Sequence, residues 1–214
     1  MNKRFRDRAE AGRKLSQQLL SYARHPQTIV LGLPRGGVPV AYPIARTLQA
    51  PLDICLVHKL GLPGDPEVAM GAIDLQGRLY LNDLIVSTLG ISAASIDRVA
   101  EIELRELQRR DRVYRGDRPE VDLRERIAIV VDDGLATGAT MTAAIQVIRQ
   151  QQPAQIVVAV PVAFRDVVVQ LRDFVDLFVC LIMPEPFYAI GSWYNNFDQT
   201  TDAQVCDLLD RSIS

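Results

Sequence analysis

Cysteine, histidine and tryptophan are scarce in this chain, at three, two and one among 214 residues. The cysteines, Cys55, Cys180 and Cys206, are odd in number and far apart, which argues against a disulfide framework and for buried thiols in a reducing compartment. No pair of Cys or His has zinc-ligand spacing. Long apolar runs are missing as well: none approaches the roughly 20 residues that a membrane span needs. The opening MNKRFRDRAE is charged where a secretion signal would be apolar. Neither sign of charge dominates, since 24 Lys and Arg against 26 Asp and Glu leave a net −2, which speaks against a nucleic-acid footprint. GxxxxGK[ST], a GxGxxG after a strand, and GxSxG are all absent, so triphosphatase, dinucleotide-binding and hydrolase-elbow chemistries fall away. The expectation is a cytoplasmic protein of small-molecule chemistry, with neither nucleic acid nor membrane as partner. Its 48% apolar and 23% charged content suits one domain, residues 1–214, with a sizeable core.

What is present is concentrated in residues 127–142, IAIVVDDGLATGATMT. Ile127, Ile129, Val130 and Val131 read as a strand buried on both faces. It ends on adjacent carboxylates, Asp132 and Asp133. A turn with Gly134, Thr137, Gly138 and Thr140 follows, and then Met141, Ala144, Ile145 and Ile148 at helical spacing. Amides at a helix start, with the positive end of its dipole, suit a phosphate. Threonine hydroxyls add donors, and glycines allow close backbone approach. The carboxylates suit ribose hydroxyls or a hydrated magnesium ion. The plainer alternative makes them turn residues only. Together, strand, acidic pair, Gly-Thr turn and helix form a holder for a phosphorylated sugar.

The remaining chain alternates strands and helices. Residues 1–24 place Phe5, Ala9, Gly12, Leu15, Leu19 and Tyr22 on one helical face. Lys3, Arg4, Arg6, Arg8, Arg13 and Lys14 lie on the other, mixed with Asp7 and Glu10 as a solvated face is. Residues 28–33 form a strand running into Pro34-Arg35-Gly36-Gly37 and a helix, a second anion site in which Arg35 can fork onto a diphosphate and Gly36 and Gly37 offer amides. Residues 52–57 form another strand. Residues 58–67, rich in Gly and Pro and including His58, Lys59 and Glu67, read as a mobile loop before a hairpin over residues 71–81. Residues 92–115 form a long charged helix, a packing or dimer element. Strands at 155–162 and 175–182, joined by a helix at 165–173, complete the alternation. It implies an α/β fold of three layers, a mostly parallel central sheet with helices on both faces, and ligand groups at the carboxyl ends of its strands. The tail, residues 184–197, gathers Phe187, Tyr188, Trp193, Tyr194 and Phe197; such rings either stack on a flat base or cap the core. Residues 200–209 close as a helix.

The 127–142 stretch resembles the phosphoribosyl-diphosphate (PRPP) signature of type I phosphoribosyltransferases. The likeness extends over residues 28–197, through PRGG and the aromatic tail, and implies that family's fold: a core over about 28–183, a flexible loop and hairpin, and a small hood over about 184–214 with the N-terminal helix. The implied reaction displaces diphosphate from C1 of Mg²⁺-bound PRPP by a nitrogen of a purine-like nucleobase, and the implied assembly is a homodimer. Asp132 and Asp133 would hold ribose hydroxyls and, through water, Mg²⁺. Ala136, Thr137, Gly138, Ala139 and Thr140 would cradle the 5-phosphate, while Arg35, Gly36, Gly37 and Lys59 would take the diphosphate. Closure of the loop would exclude water, with Glu67 as a proton-handling carboxylate or a salt-bridge partner. Phe187, then Trp193, would stack on the base. The resemblance also implies unusual backbone geometry near Arg35. Two departures stand out. The 6-oxopurine enzymes carry an aspartate where this chain has Ala136 and a lysine near the next strand, yet residues 158–165 contain none. Alanine in the turn is instead what adenine phosphoribosyltransferases show, so the base stays open. A PRPP-sensing or non-catalytic binder on the same fold is the alternative.

Overall fold

The computed structural model describes residues 4–212, the side chains of residues 66 and 67 excepted. Five strands make the central sheet: β1 (Thr28–Gly32), β2 (Leu52–Ile54), β6 (Ile127–Val131), β7 (Gln155–Val162) and β8 (Leu177–Ile182). They lie in the order β2-β1-β6-β7-β8, and every neighbouring pair is parallel. The central position of β6 follows from its sequence. Successive side chains of a strand point to opposite faces, so Ile127, Ile129 and Val131 enter one apolar cluster and Ala128 and Val130 the other. A strand with no polar face has to be covered twice.

Helices supply both covers. On one side α1 (Arg8–Ser16), α2 (Gly37–Leu48), α4 (Ala93–Arg115) and α7 (Asp202–Ser212) contribute Leu15, Ile44, Leu107 and Leu209. On the other, α5 (Ala139–Gln150) and α6 (Arg165–Arg172) contribute Ile145 and Leu171. This is the expected three-layer α/β architecture. Arg115 at the end of α4 is buried, pairs with Asp53 at 3.2 Å and Asp111 at 2.6 Å, and donates to the Ile54 carbonyl at 2.7 Å. That network pins the long helix to the β2 edge. Among the described residues no helix is long and apolar enough to cross a membrane.

Several elements differ from the sequence-based expectation. Residues 58–67 are not an open loop: β3 (Val57–Leu62) and β4 (Asp65–Asp74) pair antiparallel, and β5 (Leu79–Leu81) extends them to a three-stranded sheet. Leu60 and Met70 are fully buried in the same cluster as Leu107 of α4, which outweighs the loop-like composition. The bend is confined to Pro63 and Gly64, and the register slips around Gly61. The strand read over residues 52–57 is accordingly split between the two sheets. The N-terminal helix is shorter than residues 1–24: Asp7 caps it, accepting from the Glu10 amide at 2.7 Å. Phe5 instead forms a parallel bridge with Tyr194 of the tail. A short helix α3 (Asp83–Thr88), capped by Asn82, was not expected. Cys55 is buried as anticipated, whereas Cys180 and Cys206 are only half-buried; all three are free thiols.

Candidate active site

The site stands where β1 and β6, side by side, deliver their turns to one edge of the sheet. Register pairs Gly32 with Val131, and the Leu33 amide continues the ladder to the Val131 carbonyl at 2.9 Å. The next residues of each strand must therefore sit against each other. They do so with no room for a side chain: a Cβ on Gly36 would lie 2.1 Å from Asp133 Oδ2, and one on Gly37 would lie 2.4 Å from the Val131 carbonyl oxygen. The glycines of PRGG thus serve first to let two turns interlock. The peptide between Pro34 and Arg35 is cis, the unusual geometry expected there.

The acidic pair sits at this junction. The Asp133 amide donates to Asp132 Oδ1 at 2.8 Å, and the Asp133 carbonyl accepts from the Tyr194 hydroxyl at 2.6 Å. Burial, then the adjacent Asp133 carboxylate, pushes the Asp132 pKa well above its ordinary value. Burial raises Asp133 too, against the pull of Arg8. The turn that follows and the start of α5 enclose a cleft of about 180 Å³, lined from Asp132 to Met141 and closed by Ile190. Ala136, Thr137 and Thr140 are exposed in it, Ala139 is half-buried and Gly138 is buried. Gly138 has φ +72°, and a Cβ there would meet Val167 at 2.5 Å, so both conformation and space demand glycine. Gly138, at the N-cap of α5, has no side chain to cap it, and only the long contact from the Ala139 amide to Thr137 Oγ1, at 3.4 Å, engages the first turn, which leaves the other first-turn amides for a ligand.

Arg8 is the residue that the sequence reading missed. Assigned to a solvated face, it instead holds Asp133 Oδ2 at 2.8 Å, with both side chains almost buried. Its guanidinium lies 3.9 Å from the centre of the Phe197 ring, and it donates to the Asp198 carbonyl at 2.7 Å. One signal was available: a cation in the first turn of a helix opposes the dipole, so Arg8 directly after the Asp7 cap needed a partner elsewhere.

The other expected residues are less uniformly placed. Arg35 projects towards α7, 3.8 Å from Asp202, with both side chains more than a third exposed. Lys59, on β3, lines a neighbouring cleft of about 440 Å³ together with Pro34 and Thr140. The Glu67 side chain lies outside the described residues. Phe187 is half-buried, its ring 5.8 Å from that of Phe164. Trp193 does not present a stacking face. It is buried with Phe5, Ala11, Val162 and Tyr194, which makes it a cap on the core. Magnesium suits the donor set by chemistry: two adjacent, buried carboxylates, only one of them paired with a cation, Arg8, are hard oxygen ligands for an ion that keeps waters and substrate oxygens in its remaining positions. Among the described residues no group of three or more Asp, Glu, His or Cys side chains is arranged to hold a metal ion.

An interlocked pair of β-strand turns, one glycine-rich with arginine and one acidic leading into an uncapped helix, is the arrangement of a phosphoribosyl transferase domain. That family matches residues 3–178, and the chain belongs to it. Two Mycobacterium tuberculosis proteins, of strains CDC 1551 / Oshkosh and H37Rv, each named "Putative phosphoribosyl transferase", are 47% identical over 210 residues, 98% of this chain and 47% of theirs. The chain therefore spans about half the length of these curated relatives. A crystal structure of a Thermus thermophilus protein is 40% identical, with a TM-score of 0.88 over 96% of this chain and 97% of that one. An Aquifex aeolicus protein shares the fold at 11% identity, with a TM-score of 0.53 over 94% of this chain and 84% of its own.

Proposed function

We propose that the chain transfers the 5-phosphoribosyl group of Mg²⁺-bound PRPP to a ring nitrogen of a nucleobase-like acceptor, releasing diphosphate. The observation that carries this reading is the contact of Gly36 and Gly37 with Asp133 and Val131, which brings an anion turn and an acidic pair to one edge. The 5-phosphate takes the turn of Ala136, Thr137, Gly138, Ala139 and Thr140, where amides and hydroxyls donate and the α5 dipole favours the charge. Asp132 and Asp133 accept from the ribose hydroxyls, and they stabilise the positive charge that the sugar gains as the C1–O bond stretches. Magnesium, when bound, neutralises charge on the diphosphate and hydroxyl oxygens. Arg35, Gly36, Gly37 and Lys59 receive the diphosphate. The long, half-exposed Arg35–Asp202 pair is weak enough to be exchanged for that ligand.

The direct test is diphosphate release from PRPP and Mg²⁺ in the presence of adenine, hypoxanthine, guanine or uracil, with the nucleoside monophosphate followed by chromatography. Base-dependent release of both products in equal amounts is expected. Absence of both with every base, at millimolar PRPP, would sink the transferase reading.

A further inference from the structure

The larger cleft, about 440 Å³, runs between β3 and α4 and touches both active-site turns, at Pro34 and Thr140. Val57, Leu62, Val99 and Ile102 give it aliphatic surface, while Lys59 of β3 and Arg110 of α4 bring positive charge into it. Its carboxylate, Glu103, is engaged by His58 Nδ1 at 2.6 Å, so the described lining carries more positive than negative charge. Arg110 is only partly committed. Its Nε donates to Glu106 Oε1 at 2.8 Å, one turn back on α4, and its side chain is 30% exposed. Its terminal nitrogens, Nη1 and Nη2, have no hydrogen-bond partner among the described residues. Arg109 is the contrast: Nε and Nη2 both donate to Glu106, and Nη1 lies 3.9 Å from Asp202. Hydrogen bonds from Arg109 and then Arg110 hold the Glu106 carboxyl down at about 2, so this anchor stays ionised at neutral pH. A guanidinium held through Nε alone still offers its Nη1–Nη2 edge as a fork for two phosphate oxygens.

We propose that Arg110 is a further diphosphate ligand, gripping with Lys59 the part of the diphosphate that extends from the Arg35 turn into this cleft. The inference rests on the PRPP reading given above. Pro34, in the cleft lining, directly precedes Arg35, so an anion seated on the Arg35 to Gly37 turn borders the cleft. Arg35 and Arg110 also share surroundings. Arg35 and the Tyr114 hydroxyl meet the same oxygen of Asp202, at 3.8 and 2.7 Å. Burial, then the hydrogen bond to Asp202, raises the Tyr114 pKa, and Arg110 and Arg35 both pull it down. The two cations therefore act on one hydroxyl. The aliphatic side chains thin the water around Lys59 and Arg110, which strengthens their attraction for the charge that gathers on the diphosphate as it leaves.

Calorimetry on the full chain tests this, with Mg²⁺-diphosphate and Mg²⁺-PRPP as the ligands. Arg110→Gln loses only a pair within one helix and should fold as the wild type does. It should bind both ligands about 10-fold or more weakly, the loss expected when charge-assisted hydrogen bonds are removed. Arg110→Lys keeps the charge without the fork and should fall between the two. Arg105→Gln removes the same charge from another position of α4, where Arg105 is 75% exposed and pairs with Glu101, and should bind both ligands as the wild type does. Ribose 5-phosphate, which has no diphosphate, should bind the wild type and Arg110→Gln alike. Wild-type affinity for Mg²⁺-diphosphate and Mg²⁺-PRPP in Arg110→Gln, an equal loss in Arg105→Gln, or an equal loss for ribose 5-phosphate overturns the assignment of Arg110. The two levels fail differently. A wild type that binds PRPP no better than Arg110→Gln sinks Arg110 alone, whereas a wild type that binds neither PRPP nor diphosphate sinks the transferase reading with it.

Discussion

The two clefts beside the acidic pair are built in opposite ways. The smaller is almost all one stretch of chain, ten consecutive residues plus Ile190, and its recognition groups are backbone amides, hydroxyls and two carboxylates. The larger is assembled from β3, α4, the turn after β1 and the start of α5, and its chemistry lies in side chains such as His58 and Glu103, 45 positions apart. The phosphate turn of the smaller cleft, built on backbone amides, tolerates loss of side-chain atoms but not addition of a Cβ at its glycines. A side-chain site does the reverse.

The sharpest exception to that contrast is Arg8, a distant charged side chain on which the contiguous site depends. Arg8→Ala leaves the nearly buried Asp133 carboxylate unpaired, and should cost about 3 kcal/mol of stability, read from denaturant midpoints. Arg8→Lys should restore only part, since a single ammonium cannot span both Asp133 and the Asp198 carbonyl. Next comes Gly36→Ala. It removes nothing, yet its Cβ lands on Asp133 Oδ2, so about 1–3 kcal/mol should be lost, with a matching drop in PRPP affinity by calorimetry. A benign Gly36→Ala would break the idea that the turns interlock.

These cases show what the sequence could disclose. Asp132 to Thr140 was legible because a contiguous motif carries its own geometry, and the sheet was legible because β6 has no polar face. Arg8 was hidden because helical spacing reports which face is charged, not which charge finds a buried partner. Residues 58–67 were misread because Gly61, Pro63 and Gly64 look like a loop, while the pairing of Leu60 with Gly71 and its burial under α4 are tertiary facts. Trp193 illustrates the same limit: its aromatic face was visible in the sequence, but the parallel bridge of Phe5 to Tyr194 that encloses it was not.

Smaller effects probe the side-chain cleft. The folded-state pKa of His58 is depressed, so the unfolded chain binds more protons near the ordinary histidine value of about 6.5. Stability should therefore fall as pH drops from about 7.5 to about 5.5. Thermal melts of His58→Gln across that range should show a shallower decline than the wild type. An identical slope would mean that His58 is not protected from protonation. Smallest of all, Asp202→Asn removes the long, part-exposed ion pairs with Arg35 and Arg109 while its remaining oxygen can still accept from the Tyr114 hydroxyl, and should change stability by about 1 kcal/mol or less. By freeing Arg35 it should leave PRPP affinity unchanged or slightly tighter.

The most direct measurement is isothermal titration of Mg²⁺ and PRPP into the wild type and into Asp132→Ala/Asp133→Ala. Saturable binding to the wild type, abolished in the double variant, is the expected result. Equal affinity in both, or no binding to the wild type at millimolar PRPP, would contradict the assignment of this junction as a phosphoribosyl site.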